Sequence, residues 1–347
     1  MCVSCDCVDG VDGDLRCLRF GERLAETLVR GVREALGDMG DVALLLSGGI
    51  DTTFTAVALS EAGIRPVSIT VTYGDAPDSP YAVLVARKLN LSHTTIDLSK
   101  REDLLNHCLG FVVKVLRTID PIEVVCDVPV CAGLVTAVKM GLRRVLTGDG
   151  GDELFLGYSF LLRSDGESLR EWLNRVEGGN AWFPAPVLGK ALGLRVVPAL
   201  YTGDVRRFAS RVPLECRIGV RDGVRWGKYL MRLYLESRGF KEVAWRSKTP
   251  VNMGSGVNEI LKEWASMVGD EDIARVVREA GFEPPSRQHA YLYKVMVGLG
   301  AQPPEPCSDE RSRCPVCGRC LQGRHCRFCG ASLDRGGQVM VFTGDYL

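Results

Sequence analysis

The chain has 347 residues, enough for two domains or one large domain with an appendage, and its 43 basic and 43 acidic residues balance. That balance argues against a general polyanion-binding surface, and no run approaches the ~18 to 20 apolar residues that span a bilayer. The acidic start, MCVSCDCVDGVDGD, lacks the basic and apolar regions of a signal peptide, so a cytoplasmic protein with no membrane partner is expected.

In chain order, residues 1–20 form a Cys-, Asp- and Gly-rich segment, and "RFGERLAETLVRGVREAL" (19–36) carries apolar residues at helical spacing. "VALLL" is a strand that breaks at Ser47-Gly48-Gly49 and restarts as a helix to about Gly63. A second strand, "RPVSITVTYG", precedes the helix "SPYAVLVARKLNL"; the strand "HTTIDL" precedes the helix "REDLLNHCLGFVVKVLRTI". "CAGLVTAVKMGL" is a further helix, and "RRVLTGDGGDE" is a strand entering a second glycine-rich turn. Residues 160–300 read as mainly helical, with "GKYLMRLYLESRGF" the clearest, and the proline-rich "QPPEPC" leads into a terminal cysteine cluster. Strands alternating with helices predict an α/β fold with a doubly wound parallel sheet, a helical C-terminal part and small Cys-rich metal-binding ends. The expected partition is 1–20 as a Cys-rich segment, 21–300 as the main domain and 301–347 as a metal ribbon.

Both glycine turns then lie at the carboxyl ends of strands, where such sheets bind ligands. Amides freed by Ser47, Gly48 and Gly49, with the following helix N-terminus, make an anion site. Asp51 stands where a γ-phosphate-transferring loop carries a lysine, which suits a metal bridging to pyrophosphate and cleavage between the α- and β-phosphates. Asp149, Asp152 and Glu153 crowd the second turn and repel one another unless a metal ion or a cationic side chain sits among them. Asp51 and Asp152 on neighbouring strand ends are the candidate Mg²⁺ ligands.

The cysteines number fourteen: four in the first 17 residues, six between Cys307 and Cys329, and Cys108, Cys126, Cys131 and Cys216 between them. Clustering at the ends points to metal rather than to a disulfide framework. Cys314-x2-Cys317 and Cys326-x2-Cys329 make a tetrahedral thiolate set for a structural Zn²⁺, with Cys307, Cys320 and His325 as spare ligands. Cys2, Cys5, Cys7 and Cys17 are candidates for a second zinc site.

"LLLSGGIDTT" resembles the pyrophosphatase loop of the PP-loop ATPases, and "LTGDGGDELFLGY" resembles the second signature of their asparagine synthetase and β-lactam synthetase branch. "GDAPDSPYAVLVARKLNLSHTTIDL" and "GKYLMRLYLESRGFKEVAWRSKTPVNMGSG" are similar to further segments of that branch, in order, over residues 42–256. The resemblance implies an AMP-forming ligase that adenylates a carboxylate with ATP-Mg²⁺ and lets ammonia or an amine displace AMP. It implies that Ser47, Gly48, Gly49, Asp51 and Thr52 hold pyrophosphate and metal, with Asp152 as the second acid. Backbone at Leu45, Val71, Thr147 and Gly148 would cradle adenosine, Asp149 would take the amine's proton, and Lys248, preceded by Arg246, would stabilise the oxyanion. "VNMGSGV" after Lys248 reads as a lid.

Two features depart from the branch. Only 46 residues precede Ser47, too few for a glutaminase domain, so nitrogen is expected from ammonia, an amine or a separate glutaminase. The family's Pro-Phe-Leu-Asp stretch reads "PALYTGDV" (198–205), which leaves the carboxylate open. Some PP-loop enzymes that thiolate tRNA carry zinc ribbons and an iron–sulfur cluster on three central cysteines, so a sulfurtransferase using Cys126, Cys131 and Cys216 is the alternative. A non-catalytic ATP-binding zinc-ribbon module is the other.

Overall fold

The computed structural model describes residues 6–37, 39–247 and 249–344. Its central sheet has five strands: β1 (Val42–Leu45), β2 (Val67–Thr72), β3 (His93–Asp97), β4 (Arg144–Thr147) and β5 (Arg195–Pro198), in the order β3-β2-β1-β4-β5. β1 pairs in parallel with β2 and β4, and β4 with β5. The strand order reverses between β1 and β4, so the crevice beyond their carboxyl ends is the topological switch point where open α/β sheets take ligands. The expected α/β, doubly wound sheet is therefore present.

The helices of the first half are α1 (Asp6–Leu36), α2 (Ile50–Glu61), α3 (Ser79–Lys88), α4 (Glu102–Leu116), α5 (Pro121–Lys139) and α6 (Gly151–Leu154). They are followed by α7 (Gly166–Glu177), α8 (Pro184–Ala191), α9 (Gly203–Ala209), α10 (Leu214–Arg217), the hairpin β6 (Ile218–Arg221) and β7 (Val224–Gly227), and α11 (Tyr229–Ser237). Then come α12 (Lys241–Ala244), α13 (Val251–Gly254), α14 (Ile260–Ser266), α15 (Asp270–Ala280), α16 (Arg287–Gly298) and a ribbon closed by β8 (Ser332–Leu333) and β9 (Val339–Met340).

These elements form two compact units that do not follow a sequential partition: residues 1–70, 78–95 and 136–249 in the first, 71–77, 96–135 and 250–347 in the second. β2, β3 and α5 each run from one unit into the other. In the first, α1 buries Leu24, Leu28 and Val32 in a core that also holds Phe54 of α2 and Tyr234 of α11, whose rings lie 4.9 Å apart. Gly21 lets α1 cross α11 closely, since a Cβ there would lie 2.5 Å from the Leu230 carbonyl oxygen. The charged segment 6–18 continues this helix rather than standing as a separate Cys-rich piece.

α5 corrects two expectations. The sequence reading begins this helix only at Cys131; here the helix starts at Pro121 and carries Pro129, a residue that normally interrupts a helix, inside it. By length and composition its 19 residues, at mean hydropathy 1.7, could cross a membrane, contrary to the expectation that no run approaches such a length. Two-thirds of that window is buried within the protein, and Val124, Val125, Val128 and Leu134 are fully enclosed, as in a core helix.

Candidate active site and metal centre

The first turn is built by hydroxyl bonds. The Ser47 amide donates to Thr52 Oγ1 (3.2 Å), the two hydroxyls lie 3.1 Å apart, and the Gly49 amide donates to Ser47 Oγ (3.2 Å). Gly48 has φ of +80°, and a Cβ there would lie 2.6 Å from the Ala82 amide nitrogen and 2.7 Å from the Asp78 carbonyl oxygen. Only glycine meets both demands. The turn delivers Asp51 into the first turn of α2, beside the amide-rich helix end.

The second turn closes against it. A Cβ on Gly148 would lie 2.8 Å from Thr52 Cγ2, and one on Gly151 would lie 2.1 Å from Asp51 Oδ1. Asp51, Thr52, Gly148 and Asp152 thus share one small volume. Asp149 is partly buried and accepts a bond from the Thr147 hydroxyl at 2.7 Å. Burial pushes its carboxyl up to about 6; the Thr147 bond opposes this, and the charges of Asp51 and Asp152 add to it.

The cation these acids require is Lys228, a residue to which sequence reasoning assigned no role. Its side chain is 2% exposed, and Nζ lies 2.5 Å from Asp51 Oδ2 and 2.9 Å from Asp152 Oδ1. Burial pulls this ammonium down, but Asp152 and then Asp51 more than offset that and hold it above the ordinary lysine range. The placement depends on backbone crowding. Lys228 has φ of +56° and donates its amide to the Phe155 carbonyl at 2.8 Å. A Cβ on Gly227 would lie 1.9 Å from the Leu156 carbonyl oxygen, and one on Gly157 would lie 2.1 Å from both Asp152 Oδ1 and Lys228 Cε. One helical turn on, Arg232 donates to the Gly227, Ala244 and Arg246 carbonyls, tying α11 to the segment that precedes Lys248. The signal in the sequence was the acid crowding itself, together with Gly157 and Gly227-Lys228.

Arg246 pairs with Asp78 (2.5 Å) and lies 4.3 Å over the Tyr81 ring, against the α3 end that also backs Gly48. Its contacts are those of a brace, not of a group facing the three acids. Leu45 and Thr147 end β1 and β4 as expected, and Val71 lies on β2 where that strand leaves the first unit. Lys248 lies outside the described residues.

The terminal cysteines converge. Cys314, Cys317, Cys326 and Cys329 are buried, and their sulfurs all lie within 4.8 Å of one another. Two of the separations are 3.5 and 3.7 Å, close to the ~3.8 Å edge of a thiolate tetrahedron with ~2.3 Å Zn–S bonds. The two knuckles repeat one backbone pattern. Cys314 and Cys326 amides donate to Arg319 and Ala331 carbonyls, while Gly318 and Gly330 amides return to Cys314 and Cys326. Gly318 and Gly330 both have positive φ.

The ribbon is fastened to its own unit through these knuckles. The Ile119 amide and Thr118 hydroxyl donate to the Phe328 carbonyl, and Arg319, between the Phe282 and Phe328 rings, donates to the Cys317 carbonyl. Burial pushes His289 down to about 4, so its ring is neutral; Nε2 donates to the Cys329 carbonyl and Nδ1 accepts from Ser286 Oγ.

Other cysteine expectations are corrected. Cys17 of α1 is disulfide-bonded to Cys216 of α10, and Cys307 to Cys320, so neither spare cysteine is a ligand. His325 Nδ1 is 2.9 Å from Ser332 Oγ. Of the expected second site on Cys2, Cys5, Cys7 and Cys17, Cys17 is taken by its disulfide with Cys216. Cys2 and Cys5 lie outside the described residues. The Cys126, Cys131 and Cys216 cluster fails because Cys216 is consumed by Cys17. Cys126 and Cys131, five apart on α5, also diverge by about 140° around its axis. Cys131 instead meets Cys108, and both are fully buried.

The asparagine synthase family model matches residues 23–197, half of the chain and both glycine turns. The chain belongs to the asparagine synthase family. It is 26% identical to asparagine synthetase B (glutamine-hydrolyzing) of Escherichia coli over 293 residues, 76% of this chain and 52% of that protein. It is 27% identical to a probable asparagine synthetase of Dictyostelium discoideum over 291 residues, 74% of this chain and 52% of that protein. The chain thus spans about half the length of the curated relatives it matches. Among solved structures it is similar to a predicted subunit of tRNA methyltransferase from Methanocaldococcus jannaschii, with a TM-score of 0.28, 17% identity, and 60% and 94% of the two chains covered.

Proposed function

We propose that the chain is an ATP-dependent, AMP-forming amide synthetase that adenylates a carboxylate and lets an amine or ammonia displace AMP. The observation that carries this reading is the Asp51–Lys228–Asp152 triad beside Asp149 at the switch point of the sheet. Family membership supports the same reading.

The residues fit Mg²⁺. Two carboxylates already converge on one cation, and a hard divalent ion favours such oxygens together with phosphate oxygens and water. When bound, that ion would neutralise pyrophosphate charge. The Gly48 amide and the start of α2 would bind and orient the β- and γ-phosphates, joined by the Ser47 and Gly49 amides on release from Thr52 Oγ1 and Ser47 Oγ. Lys228 supplies a second, fixed positive charge against the leaving group. Leu45, Thr147 and Gly148 offer backbone groups to adenosine.

Asp149 then removes the proton of the attacking amine. A carboxyl held near 6 is ionised at neutral pH yet more basic than an ordinary aspartate, as a general base requires. Lys248 stabilises the tetrahedral oxyanion, an interaction worth ~10²- to 10³-fold in rate. Arg246 positions that segment through Asp78 and Tyr81. Zn²⁺ on Cys314, Cys317, Cys326 and Cys329 is structural: four thiolates leave no open coordination position.

A screen of carboxylates, aspartate first, with pyrophosphate release as readout tests the proposal. Release that depends on one carboxylate supports it. ATP binding without turnover across the screen would instead favour a non-catalytic module.

A further inference from the structure

The Cys17–Cys216 disulfide heads a chain of contacts that ends on the second acidic turn. It joins α1 to α10 across 199 residues, and both cysteines are buried. α10 is a single helical turn, Leu214–Arg217, too short to hold its own shape, so its place is set by what it is fastened to. The Arg16–Glu215 pair beside the disulfide spans 3.2 Å between two exposed side chains and adds little.

The residue after Cys216 is Arg217, whose side chain is 3% exposed. Its Nη1 donates to the Leu154 carbonyl at 3.0 Å, at the end of α6, the short helix that carries Asp152. Nε donates to the Val212 carbonyl at 3.2 Å, and Nη2 donates to the Ala209 carbonyl and, at 2.7 Å, to Glu177 Oε1. A buried guanidinium with these four partners cannot shift without leaving polar groups unmet, so a displacement of α10 is passed to α6. A second route runs along the chain. β6 starts at Ile218, pairs with β7 from Ile218↔Gly227 to Arg221↔Val224, and β7 leads directly into Lys228. The Tyr229 hydroxyl donates to Asp14 of α1 at 2.8 Å, one helical turn before Cys17. α10 therefore reaches Asp152 through Arg217 and Lys228 through the hairpin.

We infer that the Cys17–Cys216 bond is a redox switch for the Asp51–Lys228–Asp152 site. Oxidised, it holds Arg217 and β6 where Asp152 and Lys228 meet; reduced, it lets α10 leave α1 and the acidic turn loosen. Arg217 is the positioning residue that transmits the change. The reductant is a dithiol. One of its thiolates attacks a sulfur of the pair and forms a mixed disulfide, and the second thiolate resolves it. The Cys17–Cys216 bond takes up two electrons and two protons to become two thiols, and the dithiol becomes a disulfide. Leu15 and Leu214, each two residues from a cysteine of the pair, are 52% and 47% exposed, so opening of this one turn admits the reductant. The effect on catalysis rests on the amide-synthetase reading; the effect on the turn does not.

The test is backbone hydrogen exchange of the full chain with and without dithiothreitol. Reduction is expected to speed exchange about ten-fold at the Leu154, Phe155 and Gly157 amides, which bond within the turn, and at the Lys228 amide, which bonds to the Phe155 carbonyl. The Leu46 amide, bonded to the Ile69 carbonyl of β2, is expected to keep its rate. Cys17→Ser/Cys216→Ser should show the fast pattern with or without dithiothreitol, which separates this bond from Cys307–Cys320. Unchanged protection at the turn on reduction, an equal loss at Leu46, or a response to dithiothreitol that persists in the double variant overturns the switch. ATP–pyrophosphate exchange in the same samples should fall about ten-fold on reduction, and an unchanged rate overturns the switch as well. Pyrophosphate exchange absent with every carboxylate in both states overturns the amide-synthetase reading alone, because hydrogen exchange decides the switch without turnover.

Discussion

Replacing Lys228 by methionine keeps the buried stem and removes one charge. The two carboxylate oxygens it bridges can be at most about 5.4 Å apart, because one Nζ touches them at 2.5 and 2.9 Å. At an effective dielectric near 20 their repulsion without the lysine is then about 3 kcal/mol or more. That agrees with the ~3 to 5 kcal/mol usual when one partner of a buried ion pair is removed. Lys228→Met should therefore unfold at lower urea concentration, by about 3 kcal/mol. If the same two carboxylates hold Mg²⁺, 10 mM MgCl₂ should restore on the order of 1 to 2 kcal/mol of this, as expected of an ion bound at ~1 mM. Urea melts at pH 7.5, with and without Mg²⁺, measure both effects. A variant as stable as wild type, or one indifferent to Mg²⁺, would refute the reasoning that one cation is needed between Asp51 and Asp152.

Gly157→Ala should displace Asp152 and Lys228, because its Cβ would meet both at 2.1 Å; pyrophosphate release should fall at least ten-fold and stability by ~1 to 3 kcal/mol, whereas wild-type kinetics would contradict the packing. As the proposed base Asp149 must be ionised, so the amine-dependent step should fall about ten-fold per pH unit below about 6. Asp149→Asn should abolish that limb along with most of the rate, and an unchanged pH profile would remove Asp149 from the mechanism. Elemental analysis should find about one zinc per chain. Stripping it with an organomercurial should lower the melting temperature by roughly 5 °C or more, since the carbonyls of Phe328 and Cys329 anchor the α4–α5 junction and α16. A metal-free protein with an unchanged melt would contradict the structural role.

The sequence made the switch point legible because local rules specify it: a short apolar strand, glycines free to adopt unusual φ, then a helix. The four ribbon cysteines were legible for the same reason, since each knuckle closes within six residues. Lys228 was not, because it meets Asp51 across 177 residues, and the neighbouring Gly227 marks a close approach without naming what Lys228 meets. The acids indicated that a cation was needed but not which one. Cys17 and Cys216 pair across 199 residues for a similar reason: one amphipathic helix, α1, carries Cys17 onto α10. The start of α5 was hidden by Pro129, whose local preference is overridden by burial of the valines around it.

The central claim, cleavage of ATP between its α- and β-phosphates at the Asp51–Lys228–Asp152 site, is tested most directly by identifying the products of carboxylate-dependent ATP turnover. Separated nucleotides from wild type and Asp51→Asn should show AMP and pyrophosphate in equal amounts from the wild type and neither above background from the variant. ADP with inorganic phosphate, or AMP formation that survives Asp51→Asn, would contradict the account.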